Sequence, residues 1–252
     1  MSQLAAIDVA TAATQLMRAG QWAAATALLS ATQADDPGER LTLALARAEV
    51  AADQDFAQQT DHAPAALAAV EPLLDSPTAR WDFAMLHLRK DYSTALFQSR
   101  DQAGELRERA ASLIDRAPDD ARRGAVTFYA GVMADNLFEA PEEAFAHYTT
   151  AYELGEKSGD ELLMSLALRH LGDHAHTAGD LVLAREHWER STELRQKVGH
   201  LLGALAQQTL LAVLLRDEGD VAGSRALATE VNRWARQVDL KFIVRETAEL
   251  MG

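Results

Sequence analysis

Apolar positions along this chain recur with a helical period from one end to the other. Over residues 3–18 they are Leu4, Ile7, Ala10, Leu16 and Met17, and Gly20 stops that helix. Trp22 opens a second helix, with Ala25, Leu28 and Leu29 on one face, and Asp35-Asp36-Pro37-Gly38 breaks the pattern. Leu41, Leu45, Ala48 and Ala52 form the next stripe, over 41–52. Residues 53–63 are polar and irregular, so an extended connection or a frayed helix end is expected there. Pro64 suits a first helical turn, Pro72 must kink or end that helix, and Pro77 closes the segment. Helices follow over 80–99 (Trp81, Met85, Leu88, Tyr92, Leu96) and 102–116, then over 121–138 and 141–156. The stretch Leu162 to Val198 reads as helix, Gly-Asp turn, helix. Residues 201–217 and 221–237 make another pair, and 240–251 a last single helix. No run alternates in the manner of a strand.

The second half repeats itself every forty residues. Ala144, Ala184 and Ser224 fall in one column, Tyr148, Trp188 and Ala228 in a second, Ala151, Ser191 and Val231 in a third, and Leu154, Leu194 and Trp234 in a fourth. Gly179-Asp180 matches Gly219-Asp220, and Gly159-Asp160 matches Gly199-His200. A small residue in the first column lets paired helices touch, and a larger one four positions on fills the space one turn away. Trp81, Trp188 and Trp234 sit at apolar positions and are expected in the core.

These residues resemble the tetratricopeptide repeat (TPR). Leu168, Leu171 and Gly172 sit at that family's first-helix signature positions and Ala175 at its later aromatic one; Gly179 marks the turn; Ala184, Trp188 and Ser191 take the small, aromatic and small positions of the second helix. Gln196 stands where the signature proline would be, and a period near forty exceeds the family's usual thirty-four. The longer repeat is similar to the variant found in bacterial regulators of the maltose-activator type and in peptide-sensing regulators. The resemblance implies an all-α fold: a right-handed solenoid of antiparallel helix pairs, about six repeats plus a C-terminal capping helix. It implies one domain over 1–252, irregular over 1–117 and regular over 118–252. In such stacks the first helix of each pair lines the concave, ligand-facing side. The implied groove residues are Arg169, Asp173 and His176, then Thr209, Val213 and Arg216, then Tyr129, Met133 and Asn136, with Met85, Leu88 and Tyr92 further back. Two arginines on that wall suit an acidic group, because a guanidinium grips a carboxylate with two hydrogen bonds.

Composition narrows the picture. The formal net charge of −14 argues against a general nucleic-acid or anionic-membrane surface. There is no cysteine, which removes disulfides, thiol catalysis and cysteine zinc sites. No apolar run spans a membrane, and the start lacks a secretory pattern, so a cytoplasmic location is expected. No phosphate-loop or dinucleotide motif is present, and no cofactor is expected.

His170 and His174 are four apart with Asp173 beside them, a spacing that could hold a divalent metal but is a weak signal. The expectation is therefore a non-catalytic, regulatory binding or scaffold module whose groove receives a peptide, a protein segment or a small effector, with self-association possible. The alternative is an enzyme or metal protein centred on the helix around 169–176.

Overall fold

A computed structural model describes residues 4–98, 101 and 103–252. The expected helix boundaries at residues 3, 99 and 102 lie outside the described residues. Among the described residues there are thirteen α-helices, one short 3-10 turn and no strand. The chain divides into two compact units, 1–118 and 119–252.

The first unit holds α1 (Ala6–Arg18), α2 (Trp22–Ala31), α3 (Pro37–Gln58), α4 (Ala63–Val70), α5 (Pro77–Phe97) and α6 (Ala103–Asp115). Its centre is α3, which packs on α1, α2, α4 and α5. Leu41, Ala44, Ala48 and Ala51 of α3 share one core with Leu67 and Val70 of α4 and Leu86 of α5. Two prolines start helices where breaks were expected. Pro37 follows the Asp36 cap, whose side chain accepts from Glu39 N–H, and Pro77 follows the Ser76 cap. Both occupy the first helical position, where a missing N–H costs nothing.

The polar stretch after Ala52 is also helical, as far as Gln58. Two of its acids have partners outside α3, while Gln54 donates to Gln58 within it. Trp22 Nε1 donates to Asp53 at 3.5 Å, and Asp55 accepts from the N–H groups of His62 and Ala63 at 2.8 and 2.7 Å, capping α4. Pro72 ends α4 as expected, in the 3-10 turn Glu71–Leu73.

The second unit is regular. It runs α7 (Asp120–Phe138), α8 (Pro141–Ser158), α9 (Glu161–Thr177), α10 (Leu181–Lys197), α11 (Leu201–Asp217), α12 (Val221–Gln237) and α13 (Lys241–Met251), each helix packed on the next. A residue with positive φ closes every helix from α7 to α12, twenty apart: Glu139, Gly159, Gly179, Gly199, Gly219 and Asp239. A side-chain cap opens the next helix in four cases, from Asp160, Asp180, His200 and Asp220. Trp188 is buried and lies against Gly172, where an added Cβ would come within 3.0 Å of the indole. Trp234, expected in the core, is 42% exposed. The last helix, α13, covers Val231 and Ala235 and leaves that indole outside, donating to Glu230 at 2.9 Å.

Candidate functional site

Helix α9 carries three kinds of side chain around its circumference. Leu168, Leu171 and Ala175 are buried. His170 and His174 turn toward α7 and α8. His170 stacks on Tyr148, with ring centroids 4.5 Å apart and planes 15° from parallel. Burial holds its imidazole well below the ordinary histidine range, and the positive charge of Arg169 adds to this. His174 reaches Asp135 of α7 at 3.4 Å, and Tyr148 Oη donates to the same carboxylate at 2.8 Å. The two histidines thus both contact Tyr148, His170 by stacking and His174 edge-on with centroids 5.9 Å apart. Among the described residues no three His, Asp or Glu side chains converge as a metal site would require.

The third stripe is Arg169, Asp173 and His176. Arg169 Nη1 donates to Asp173 at 2.8 Å, and their side chains are 29% and 33% exposed. Burial raises the Asp173 carboxyl above its usual range, against the opposing pull of Arg169. The indole N–H of Trp188 donates to the Arg169 backbone carbonyl at 2.9 Å, fixing that turn of α9. His176 Nε2 meets Asp217 of α11 at 2.9 Å, and Arg216 Nε reaches the other oxygen of that carboxylate at 2.8 Å. Two of the expected groove residues therefore share one acid, whose pKa is held down first by the Arg216 hydrogen bond.

The remaining expected positions separate by burial. Tyr129 and Asn136 are partly exposed on α7. Met133 is 1% exposed and Tyr92 4%, so neither presents a side chain to a ligand. Met85 and Leu88 are buried too, as is Thr209, whose hydroxyl donates to Leu205 O at 3.1 Å. An apolar side chain at such a buried first-helix position is core. Tyr92 lies in the first unit; the other seven proposed ligand residues lie in the second.

Two features are not among those expected from the sequence. One is a groove of about 590 Å³ across α8, α9 and α10, lined by Phe145, Leu171, His174, Ala175, Leu183 and His187. Phe145 and Leu183 are apolar yet 49% and 39% exposed, but at helical spacing they are indistinguishable from core. The other is Arg195 of α10, which is 4% exposed and lacks a hydrogen-bond partner at Nε and Nη2. A signal for it does exist. One position beyond the column of Leu154, Leu194 and Trp234, the chain reads Gly155, Arg195, Ala235.

No protein-family model and no curated protein matches the sequence. Solved structures do match in fold. One is the signal transduction ATPase with numerous domains, a protein with a tetratricopeptide repeat sensor, from Pyrococcus horikoshii. The TM-score is 0.56 at 14% identity, over 96% of this chain and 37% of that one, so this chain spans little more than a third of its length. The fold is therefore that of a tetratricopeptide-like helical repeat protein. Among the described residues, no helix is long and apolar enough to cross a membrane.

Proposed function

We infer that the chain is a non-catalytic binding module with a regulatory role, receiving a peptide, a protein segment or a small effector. The observation that carries this reading is the stripe of Arg169, Asp173 and His176. Its side chains stay 29%, 33% and 27% exposed on the most regular part of the repeat. Arg216, 51% exposed, extends the stripe onto α11. The fold similarity to a protein that has a TPR sensor supports the same class. The ligand face is more polar than the sequence suggested, because Tyr92 and Met133 are withdrawn from it.

The test is to pan a displayed random-peptide library against the full chain. Acidic sequences are expected to enrich, and charge reversal at Arg169 and Arg216 should weaken them at least about tenfold with helicity unchanged. No enrichment, or equal affinity after charge reversal, would overturn the reading.

A further inference from the structure

Three helix junctions of the second unit are built on the same register. Near the end of the leading helix stand Gly155, Arg195 and Ala235. In the first turn of the following helix stand Leu163, Gly203 and Ile243, and one turn on stand Ala167, Gln207 and Thr247. At α12–α13 the set is satisfied: Ala235 and Ile243 share an apolar cluster, and the Thr247 hydroxyl donates to Ile243 O at 2.6 Å. At α8–α9, Gly155 admits Met164, while Leu163 is 3% exposed.

The α10–α11 junction is different. An arginine takes the small residue's place and a glycine the large one's. A Cβ on Gly203 would come within 3.0 Å of both Arg195 Nη1 and His200 Nδ1. Gln207, on the same face of α11 one turn along, is 0% exposed. Arg195 Nε and Nη2 and both polar atoms of the Gln207 amide lack hydrogen-bond partners. Buried polar groups are nearly always paired, and two unpaired groups on facing helices are an arrangement that a ligand completes. The local charge points the same way. The helix that opens here is capped by His200 rather than by an aspartate such as Asp160, Asp180 or Asp220. Burial pushes the Arg195 pKa down to about 9, Arg169 pushes in the same direction, and the Asp173 carboxylate opposes them. That carboxylate is hydrogen-bonded to Arg169.

We propose that the α10–α11 junction is a phosphate site, in which Arg195 Nε and Nη2 and the Gln207 amide hold a phosphate group that enters beside Arg169. Phosphate matches the donor and acceptor chemistry of all four unpaired atoms. Its oxygens accept from the guanidinium and from Gln207 Nε2, and its P–OH donates to Gln207 Oε1. Sulfate and acetate lack that donor at neutral pH. The phosphate is either free or carried as a monoester by a small effector, held in either case in a form that keeps one P–OH. This proposal rests on the binding role inferred above.

The test uses the full chain at constant ionic strength, with inorganic phosphate, glycerol phosphate, sulfate and acetate as probes. Inorganic phosphate or glycerol phosphate should raise the Tm saturably, by about 3 °C at tenfold its half-saturating concentration. A larger rise with glycerol phosphate would identify a monoester ligand, and a larger rise with inorganic phosphate a free one. The variant R195A/G203L reproduces the Ala235 and Ile243 pairing, so it should fold and lose the response. Gln207→Ala should weaken binding about tenfold in calorimetric titration. A flat wild-type titration, an equal response to sulfate or acetate, or an undiminished response in both variants would overturn the site. Peptide enrichment that depends on Arg169, alongside a flat phosphate titration, would sink this site and leave the binding role standing.

Discussion

The α12–α13 and α10–α11 junctions share register and turn geometry, yet they solve the packing problem in opposite ways. At α12–α13 a small alanine on one helix meets a large isoleucine on the other, and the contact is apolar. At α10–α11 the volumes are exchanged, arginine against glycine, and the contact becomes polar and incompletely paired. Close packing needs only the summed volume to be right. The exchange keeps the repeat standing while replacing an apolar contact with unsatisfied donors. A fold made of near-identical units can thus carry a specific site at one junction and plain scaffold at the next.

The comparison breaks most visibly at Gly203. Gly203→Leu alone should cost about 3 kcal/mol or more, because the new side chain overlaps the Arg195 guanidinium, as chemical denaturation would show. Leu163→Gly at the counterpart junction should cost a similar amount, about 3 kcal/mol, for the opposite reason: a cavity and a looser helix start.

Next in size is the joint change R195A/G203L, expected to raise stability by about 2 kcal/mol in phosphate-free buffer. Replacing a buried charge with apolar packing of similar volume is commonly neutral to stabilising.

A smaller effect distinguishes Arg195 from a largely buried acid of the first unit, Asp53. Asp53 has Trp22 as a hydrogen-bond donor and Arg89 as an opposite charge, yet burial, the largest influence, still raises its pKa to about 6. The folded state therefore holds a proton that the unfolded chain releases near pH 4. Stability should fall as pH rises from about 4 to 6 and then level off. The loss should be on the order of 1 kcal/mol after solvent screening, since the residue keeps some contact with solvent. Asp53→Asn should flatten that slope in denaturation curves taken across this range. A slope of the same size in the variant would assign it to other groups.

The smallest change sharpens the junction itself. His200→Asp restores the cap found at Asp160, Asp180 and Asp220 and sets a carboxylate near Arg195. A gain of about 1 kcal/mol and a weaker phosphate response are expected from paired melts.

Much of the second unit is legible in the amino-acid sequence. The forty-residue columns locate Ala144, Ala184 and Ser224, all buried, and the Gly-Asp turns locate the helix ends. These features are local: a positive φ favours glycine, present at four of the six turns, and a helix start favours an aspartate cap. What the sequence hides depends on neighbours distant along the chain. Residues 53–58 look like a loop because the polarity of Asp53 and Asp55 serves Trp22 and the start of α4 rather than solvent. Met133 and Tyr92 look like groove residues because the repeat pattern gives a register but not which of two adjacent stripes a partner helix covers. Arg195 does not stand out because a charged residue on a helix reads as exposed unless its column is compared with Gly155 and Ala235, and Gly203 with Leu163 and Ile243.

The most direct test of the exchanged junction is a double-mutant cycle on Arg195→Ala and Gly203→Leu, measured by equilibrium denaturation in phosphate-free buffer. Strong coupling is predicted, about 3 kcal/mol or more, because Gly203→Leu should be harmful with arginine present and favourable without it. Single changes that add to within about 0.5 kcal/mol would show that the two residues do not share the space, and would contradict the exchange.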